Sequence, residues 1–106
     1  MTKAIQISTT AGTKTEALQI ATALVDQRLA ACVQVSGPIS SCFHWQGKIE
    51  TVEEWLCTIK TSEQSFAGVE AVIRDLHSYE EPEIIATPIV AGSQGYLAWL
   101  HDQVGP

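Results

Sequence analysis

The chain is short of positive charge. Its 106 residues include six Lys and Arg against twelve Asp and Glu, a net charge of −6. No basic stripe runs along the sequence, so nucleic acid is not an expected partner. No stretch of about 18 apolar residues occurs, and the first ten residues lack the charged and apolar segments of a secretion signal. We therefore expect one domain, residues 1–106, located in the cytoplasm and not in a membrane.

Cysteine is also scarce, and familiar catalytic motifs are missing. Cys32, Cys42 and Cys57 are odd in number and have no CxxC spacing, as expected of reduced thiols in a cytoplasmic protein. The sequence contains no GxSxG, GxGxxG, HExxH or P-loop motif, and nothing assembles a nucleophile with a base. We expect a protein that is not an enzyme, with a small hydrolase as an alternative.

The most informative segment of the sequence is residues 31–61. Apolar and polar residues alternate along the first half and more loosely along the second, which predicts one long β-hairpin. Either a three-residue loop, Trp45-Gln46-Gly47, or a bulge at Gly37-Pro38 would bring Val33 opposite Ile59. Strands about twice the usual length should extend beyond the core of a small protomer. We therefore expect other copies of the chain to cover the far end.

The remaining segments predict three helices and two further strands. Thr13 and Glu16 form a capping box for a helix that runs to about Arg28, Ser62 caps a second that ends near residues 77–78, and Ser93 caps a third. Residues 3–9 and 83–90 are short strands, and Pro88 places the second of them at a sheet edge or a bulge. This order predicts an α+β, ferredoxin-like split β-α-β fold, βαββαβ plus a C-terminal helix, with a long central hairpin.

Four segments carry a resemblance to a known family: HWQGKIE, LCTIKT, HSYEEPEIIATPIV and GSQGYLAWL. In this order and spacing they resemble the CutA family, the divalent-cation tolerance proteins, over nearly all of residues 24–100. The resemblance implies a ferredoxin-like protomer in a tight homotrimer whose hairpins pair across subunits, an architecture similar to that of the PII signalling proteins. It also implies a role in divalent metal ion tolerance, with copper binding.

The resemblance also bears on the candidate metal ligands. Family members with the clearest metal proposal have a Cys after the first strand and a His-His pair later, where this chain has Ser8 and Leu76-His77. Copper prefers several nitrogen or sulfur ligands, so one imidazole is a weak set. We expect at most weak binding of Cu²⁺ or another divalent cation at His77, Glu80 and Glu83. The alternative is that His77 caps a helix and that the acidic residues are merely solvated.

Four other residues form a second candidate site if the trimer forms. Lys60 lies near the end of the returning strand, Tyr79 precedes the last strand, and Trp45 and Glu50 lie near the hairpin tip. Across subunits they would line a cleft for a small anionic or zwitterionic ligand, as in a PII-like signalling module. The alternative is that they form ion pairs and packing contacts at a subunit interface, where aromatic residues are enriched.

Overall fold

The longest feature of the computed structural model, which describes residues 3–105, is a two-stranded antiparallel ribbon. Its strands β2 (Cys32–Trp45) and β3 (Lys48–Ser62) have 14 and 15 residues. The molecule measures 45 Å along its longest axis and 25 and 21 Å along the others. At about 3.3 Å per residue, the ribbon alone accounts for the long axis. The expected long central hairpin is therefore confirmed.

The ribbon reverses direction in two residues. Trp45 pairs with Lys48, so that Gln46 and Gly47 alone form the loop. Both loop residues have positive φ, 51° and 79°, which is the backbone of the hairpin turn whose twist matches that of the flanking strands. The three-residue loop considered above is therefore wrong, because the chain completes its reversal without including Trp45.

A bulge corrects the pairing that this short turn would otherwise produce. The register of β2 against β3 shifts between Ser36 and Ile39, and Val33 then pairs with Ile59. The bulge expected at Gly37-Pro38 is confirmed. Since cross-strand partners share a face, the apolar side chains of β2 beyond the shift lie on the side of the ribbon opposite Val33 and Val35.

Four strands form one antiparallel sheet in the order β2-β3-β1-β4, with β1 at Ala4–Ala11 and β4 at Ile85–Pro88. The short β4 is an edge strand, which confirms the edge position predicted from Pro88. It is shorter than the predicted residues 83–90. The first strand runs two residues past its predicted end at residue 9.

Helices α1 (Lys14–Asp26) and α2 (Phe66–Leu76) cover one face of the sheet and enclose the main core. Helix α3 (Gln94–Gln103) packs Leu100 against Ala4 and Ala31. Ala4 and its neighbour Ile5, which belongs to the main core, point to opposite faces of β1. The C-terminal helix therefore lies on the other side of the sheet, and the α+β, ferredoxin-like fold is confirmed. The main core is formed by Ile5, Ile7, Ala11, Ala17, Ile20, Leu24, Ala30, Cys57, Ile59, Val69 and Ile73.

The helix ends agree only in part with the predicted caps. Thr13 Oγ1 accepts the Glu16 N–H at 3.1 Å, and Ser93 Oγ accepts the Tyr96 N–H at 3.3 Å, so both predicted N-caps are confirmed. Helix α1 ends at Asp26, two residues early, because Arg28 adopts a left-handed backbone with φ 57°.

The prediction that Ser62 caps the second helix is wrong. Ser62 makes no side-chain capping bond, and a 3-10 turn at Glu63–Ser65 precedes α2. The first α-helical residue is therefore Phe66, four positions beyond the predicted cap.

Candidate functional site

His77 anchors the segment between α2 and β4, which carries most of the candidate residues. Its side chain has no solvent exposure. Nε2 lies 2.6 Å from the Thr10 carbonyl oxygen, and the Tyr79 backbone N–H donates to Nδ1 at 3.0 Å. A carbonyl oxygen can only accept, so Nε2 carries the hydrogen and Nδ1 provides a lone pair. Both ring nitrogens are therefore engaged within the chain.

His77 also ends α2, as the helix-cap alternative expected. It is the C-cap residue, and its backbone N–H donates to the Ile73 carbonyl at 2.9 Å. The ring then turns inward to the end of β1. One residue thus stops the helix and ties the following loop to the sheet.

Glu16 reaches the same ring from the first turn of α1. Its Oε2 lies 3.7 Å from His77 Nδ1 and is buried without a hydrogen-bond partner among the described residues. Of the predicted capping box, the structure therefore shows the bond from the Glu16 N–H to Thr13 Oγ1. The Glu16 carboxylate oxygen lies near His77 instead of completing the box. Because Nδ1 already accepts the Tyr79 N–H, the two acceptors face each other and the Glu16 charge is not compensated there.

Tyr79 links the same loop to the ribbon. Its hydroxyl donates to Glu54 Oε2 at 2.9 Å, and Glu54 is only 6% exposed. Burial, the hydrogen bond to Glu54 and the negative charges of Glu54 and Glu16 together raise the pKa of Tyr79 to about 12. The phenol therefore keeps its proton, and its role as a donor, throughout the physiological pH range.

The acidic residues of this loop are exposed, and one of them is paired with Arg74. Glu80 and Glu83 are exposed, while Glu81 accepts from Arg74 at 3.2 Å. Within residues 3–105 no group of three or more His, Cys, Asp or Glu side chains is placed to hold a metal ion. The structure therefore does not bring His77, Glu80 and Glu83 together as a ligand set.

Lys60 lies on the sheet face that carries α3. Its Nζ donates to Gln34 Oε1 at 2.9 Å and lies 5.8 Å from the centre of the Tyr96 ring. A cation at this distance from an aromatic face gains a modest electrostatic attraction. Lys60 is thus a positive group held in position by a strand neighbour and a helix neighbour.

The four candidate cleft residues occupy three separate places in the chain. Lys60 lies six positions along β3 from Glu54, the partner of Tyr79, a separation of about 20 Å. Trp45 pairs with Lys48 at the ribbon tip and is 59% exposed. Lys48 lies about 40 Å from Lys60 along the strand. A cleft that contains all of them requires a second copy of the chain.

The sequence interpretation missed three partners of these residues: Gln34, Glu54 and Tyr96. Gln34 was accessible from the strand register, because it lies diagonally across from Lys60 on the same face once Val33 is set against Ile59. The burial of Glu54 has no sequence signal, since the exposed Glu53 precedes it in the same strand.

The three cysteines are all free, as expected of reduced thiols, and they are dispersed. Cys57 is buried, Cys32 is half-buried and Cys42 is exposed. The Cys57 thiol donates to the Ala17 carbonyl at 3.6 Å, and burial raises its pKa to about 11. A thiol in that state is a weak nucleophile and a packing residue of the core.

Known proteins match this sequence over almost the whole chain. The model of a family described as CutA1 divalent ion tolerance protein matches residues 5–103. The divalent-cation tolerance protein CutA of Thermus thermophilus is 38% identical over 86 residues, which cover 81% of this chain and 84% of that protein. Protein CutA of Mus musculus is 40% identical over 85 residues, but these are 80% of this chain and only 48% of the mouse protein.

A solved structure described as the periplasmic divalent cation tolerance protein CutA from Archaeoglobus fulgidus is also similar. It is 39% identical, has a TM-score of 0.93, and the match covers 96% of this chain and 99% of that one.

Proposed function

Because the chain belongs to the CutA1 family of divalent ion tolerance proteins, we propose that it acts in tolerance to divalent metal ions, copper among them, as a homotrimer that binds the cation weakly. The observation that carries this proposal is the family match over residues 5–103 together with the same fold in a solved relative. The proposed role handles the cation as cargo and needs no catalysed reaction.

The surface of the ribbon supports the proposed assembly. Near the tip, Phe43 and Trp45 are exposed on one face of the ribbon and Ile49 is exposed on the other, with Trp45 59% and Ile49 70% exposed. These side chains belong neither to the main core nor to the group formed by Leu100, Ala4 and Ala31. Burying large apolar side chains stabilises by about 1.5–3 kcal/mol each, so covering them by sister copies would strongly favour association.

The described residues fit weak and exchangeable cation binding better than a resident metal centre. Binding at His77 would have to displace either the Thr10 carbonyl or the Tyr79 N–H from the ring. The exposed carboxylates of Glu80 and Glu83 are accessible without such a loss. Carboxylates in contact with water bind divalent ions with low affinity unless several converge.

Calorimetric titration of Cu²⁺ into the purified protein tests the cation binding. We expect weak saturable binding that falls in the double variant Glu80→Gln/Glu83→Gln. Glu63→Gln is the matched control, because Glu63 is an exposed carboxylate elsewhere in the chain. A wild-type protein without a binding signal, or a control that loses as much affinity as the double variant, would contradict the assignment.

Growth of the native host in graded copper tests the role in the cell. Removal of the gene should increase copper sensitivity, and the wild-type chain should restore tolerance better than the double carboxylate variant does. Equal tolerance with and without the gene would refute the proposed role, whatever the outcome of the titration.

A second candidate is a PII-like module that binds a small metabolite between subunits. The position of Lys60 favours it, because a positive group beside Gln34 and Tyr96 offers charge, a hydrogen-bonding amide and an aromatic face to an anionic ligand. Titration with nucleotides and small carboxylates should then give saturable binding that Lys60→Gln weakens and that Lys14→Gln, at the exposed start of α1, leaves unchanged. No binding across that panel would dismiss this candidate.

The location of the protein is part of the proposal. Within residues 3–105 none of the helices has the length and apolar character needed to cross a membrane. We propose a cytoplasmic location, although the Archaeoglobus relative is described as periplasmic. Fractionation of the native cell with an antibody against the chain separates the two compartments.

A further inference from the structure

The outer surface of α1 and α2 carries an open groove, lined by both apolar and polar side chains, that neither the proposed cation binding nor the proposed cleft uses. It consists of two adjoining hollows, of about 440 and 680 Å³, that share Ala23 and Leu76. Leu18 and Leu76 line it and are 46% and 39% exposed. Large apolar side chains exposed along one groove are typical of an interaction surface.

The dimensions of the groove match those of another helix. On α1 the lining runs from Thr15 to Asp26 at intervals of three or four residues, which is one helical face. The eleven steps from Thr15 to Asp26, at 1.5 Å each, give a length of about 16 Å, enough for about three turns of a partner helix. The small side chains of Ala23 and Ala71 lie in the lining with the two leucines, so a second backbone can approach closely.

The backbone around the groove favours a helix over an extended peptide. The walls belong to α1 and α2, whose interior N–H and C=O groups are already bonded within each helix. An extended peptide would therefore find no strand edge to pair with. A helix satisfies its own backbone and needs only apolar contacts and charge complementarity.

The charge around the groove is negative. Asp26 and Asp75 are the ionisable residues that line the two hollows, and none of the described lining residues is Lys, Arg or His. The adjacent Arg74 is occupied by Glu70 and Glu81, each at 3.2 Å. A partner with basic residues beside its apolar face would therefore be complementary.

We propose that this groove docks a basic amphipathic helix of another protein, with leucine-like side chains in the two hollows and Lys or Arg beside Asp26 and Asp75. The docking surface lies on the side of the sheet opposite α3, and the inference does not depend on metal binding.

A defined peptide tests the inference on the whole protein. The probe is a labelled peptide of about 14 residues of Leu and Lys, with Leu at the helical spacing i, i+3, i+4, i+7. Two further peptides serve as controls, one with Glu in place of Lys and one with the same composition in scrambled order. Fluorescence anisotropy gives the affinity, and amide chemical shifts locate the contact. The protein variants are Leu18→Ser/Leu76→Ser, Asp26→Asn/Asp75→Asn and, as an exposed apolar control outside both hollows, Val90→Ser.

We expect saturable binding of the Leu/Lys peptide, with shift changes concentrated in α1 and α2. The leucine variant should lose most of the affinity, and the aspartate variant about threefold or more, as expected for two exposed ion pairs. Val90→Ser should bind like the wild type. The proposal is overturned if the wild type does not bind, if either control peptide binds equally well, if Val90→Ser loses as much as the leucine variant, or if the shifts lie outside the two helices.

Discussion

Removal of the His77 ring should destabilise the protein even when every metal ion has been chelated. His77→Ala deprives the Thr10 carbonyl and the Tyr79 N–H of their partners, which lie 2.6 and 3.0 Å from the ring nitrogens. The carbonyl of the buried Thr10 would be left unpaired at a cost of about 1–3 kcal/mol, while the exposed Tyr79 N–H can bond to water, and the lost ring adds a cavity. We therefore expect the free energy of unfolding to fall by about 3 kcal/mol or more.

Urea denaturation followed by circular dichroism, in EDTA and at one fixed protein concentration, measures this loss. His44→Ala is the matched control, because His44 is exposed on the ribbon. His77→Gln should recover part of the stability, since its amide can donate to the Thr10 carbonyl. If His77→Ala unfolds at the same urea concentration as His44→Ala, the two ring bonds do not hold the loop. If EDTA alone destabilises the wild type as much as the substitution does, His77 acts through a metal instead.

Three further predictions concern the ribbon and its neighbours. Gly37→Ala should lower the free energy of unfolding by about 1–3 kcal/mol, because the new Cβ would lie 2.7 Å from Trp55 Cδ1 at a φ of +158° that disfavours a side chain; an unchanged urea midpoint would contradict the close packing at the bulge. Folding raises the Cys57 pKa from 9.0 to about 11, so the folded state holds this proton more tightly than the unfolded state does. The resulting stability, about 2–3 kcal/mol, is complete below pH 9 and is lost between pH 9 and 11. Cys57→Ala should make the urea midpoint depend less on pH over that range, and a pH profile like that of the wild type would refute the assignment. Tyr79→Phe should lower the free energy of unfolding by about 2 kcal/mol at neutral pH, because it removes the hydrogen bond to the buried carboxylate of Glu54. Because folding raises the Tyr79 pKa from 10.0 to about 12, the variant should also lose less stability than the wild type between pH 10 and 12. Two parallel profiles of stability against pH would count against the hydrogen bond.

Local patterns carried most of the fold prediction. Alternation gave two long strands, and helical spacing with capping residues gave the order of the elements. The choice between a longer loop and a bulge was not decidable locally, because both set Val33 against Ile59. The choice depended on Gln46, which adopts a left-handed backbone although it is neither glycine nor asparagine, the residues that usually indicate this conformation.

The candidate site was predictable in position but not in contacts. Tyr79 does precede the last strand and Lys60 does lie near the end of β3, as the sequence indicated. Whether a polar side chain turns inward depends on elements distant in sequence. His77 reaches Thr10 from 67 positions away, and Tyr79 buries its hydroxyl against Glu54 from 25 positions away.

The most direct test of the account is the mass of the protein in dilute solution, because every proposed ligand cleft depends on copies of the ribbon covering one another. Sedimentation equilibrium should give a stable species of three 11.5-kDa chains. A single 11.5-kDa species that retains its sheet would contradict the proposed assembly and the clefts with it.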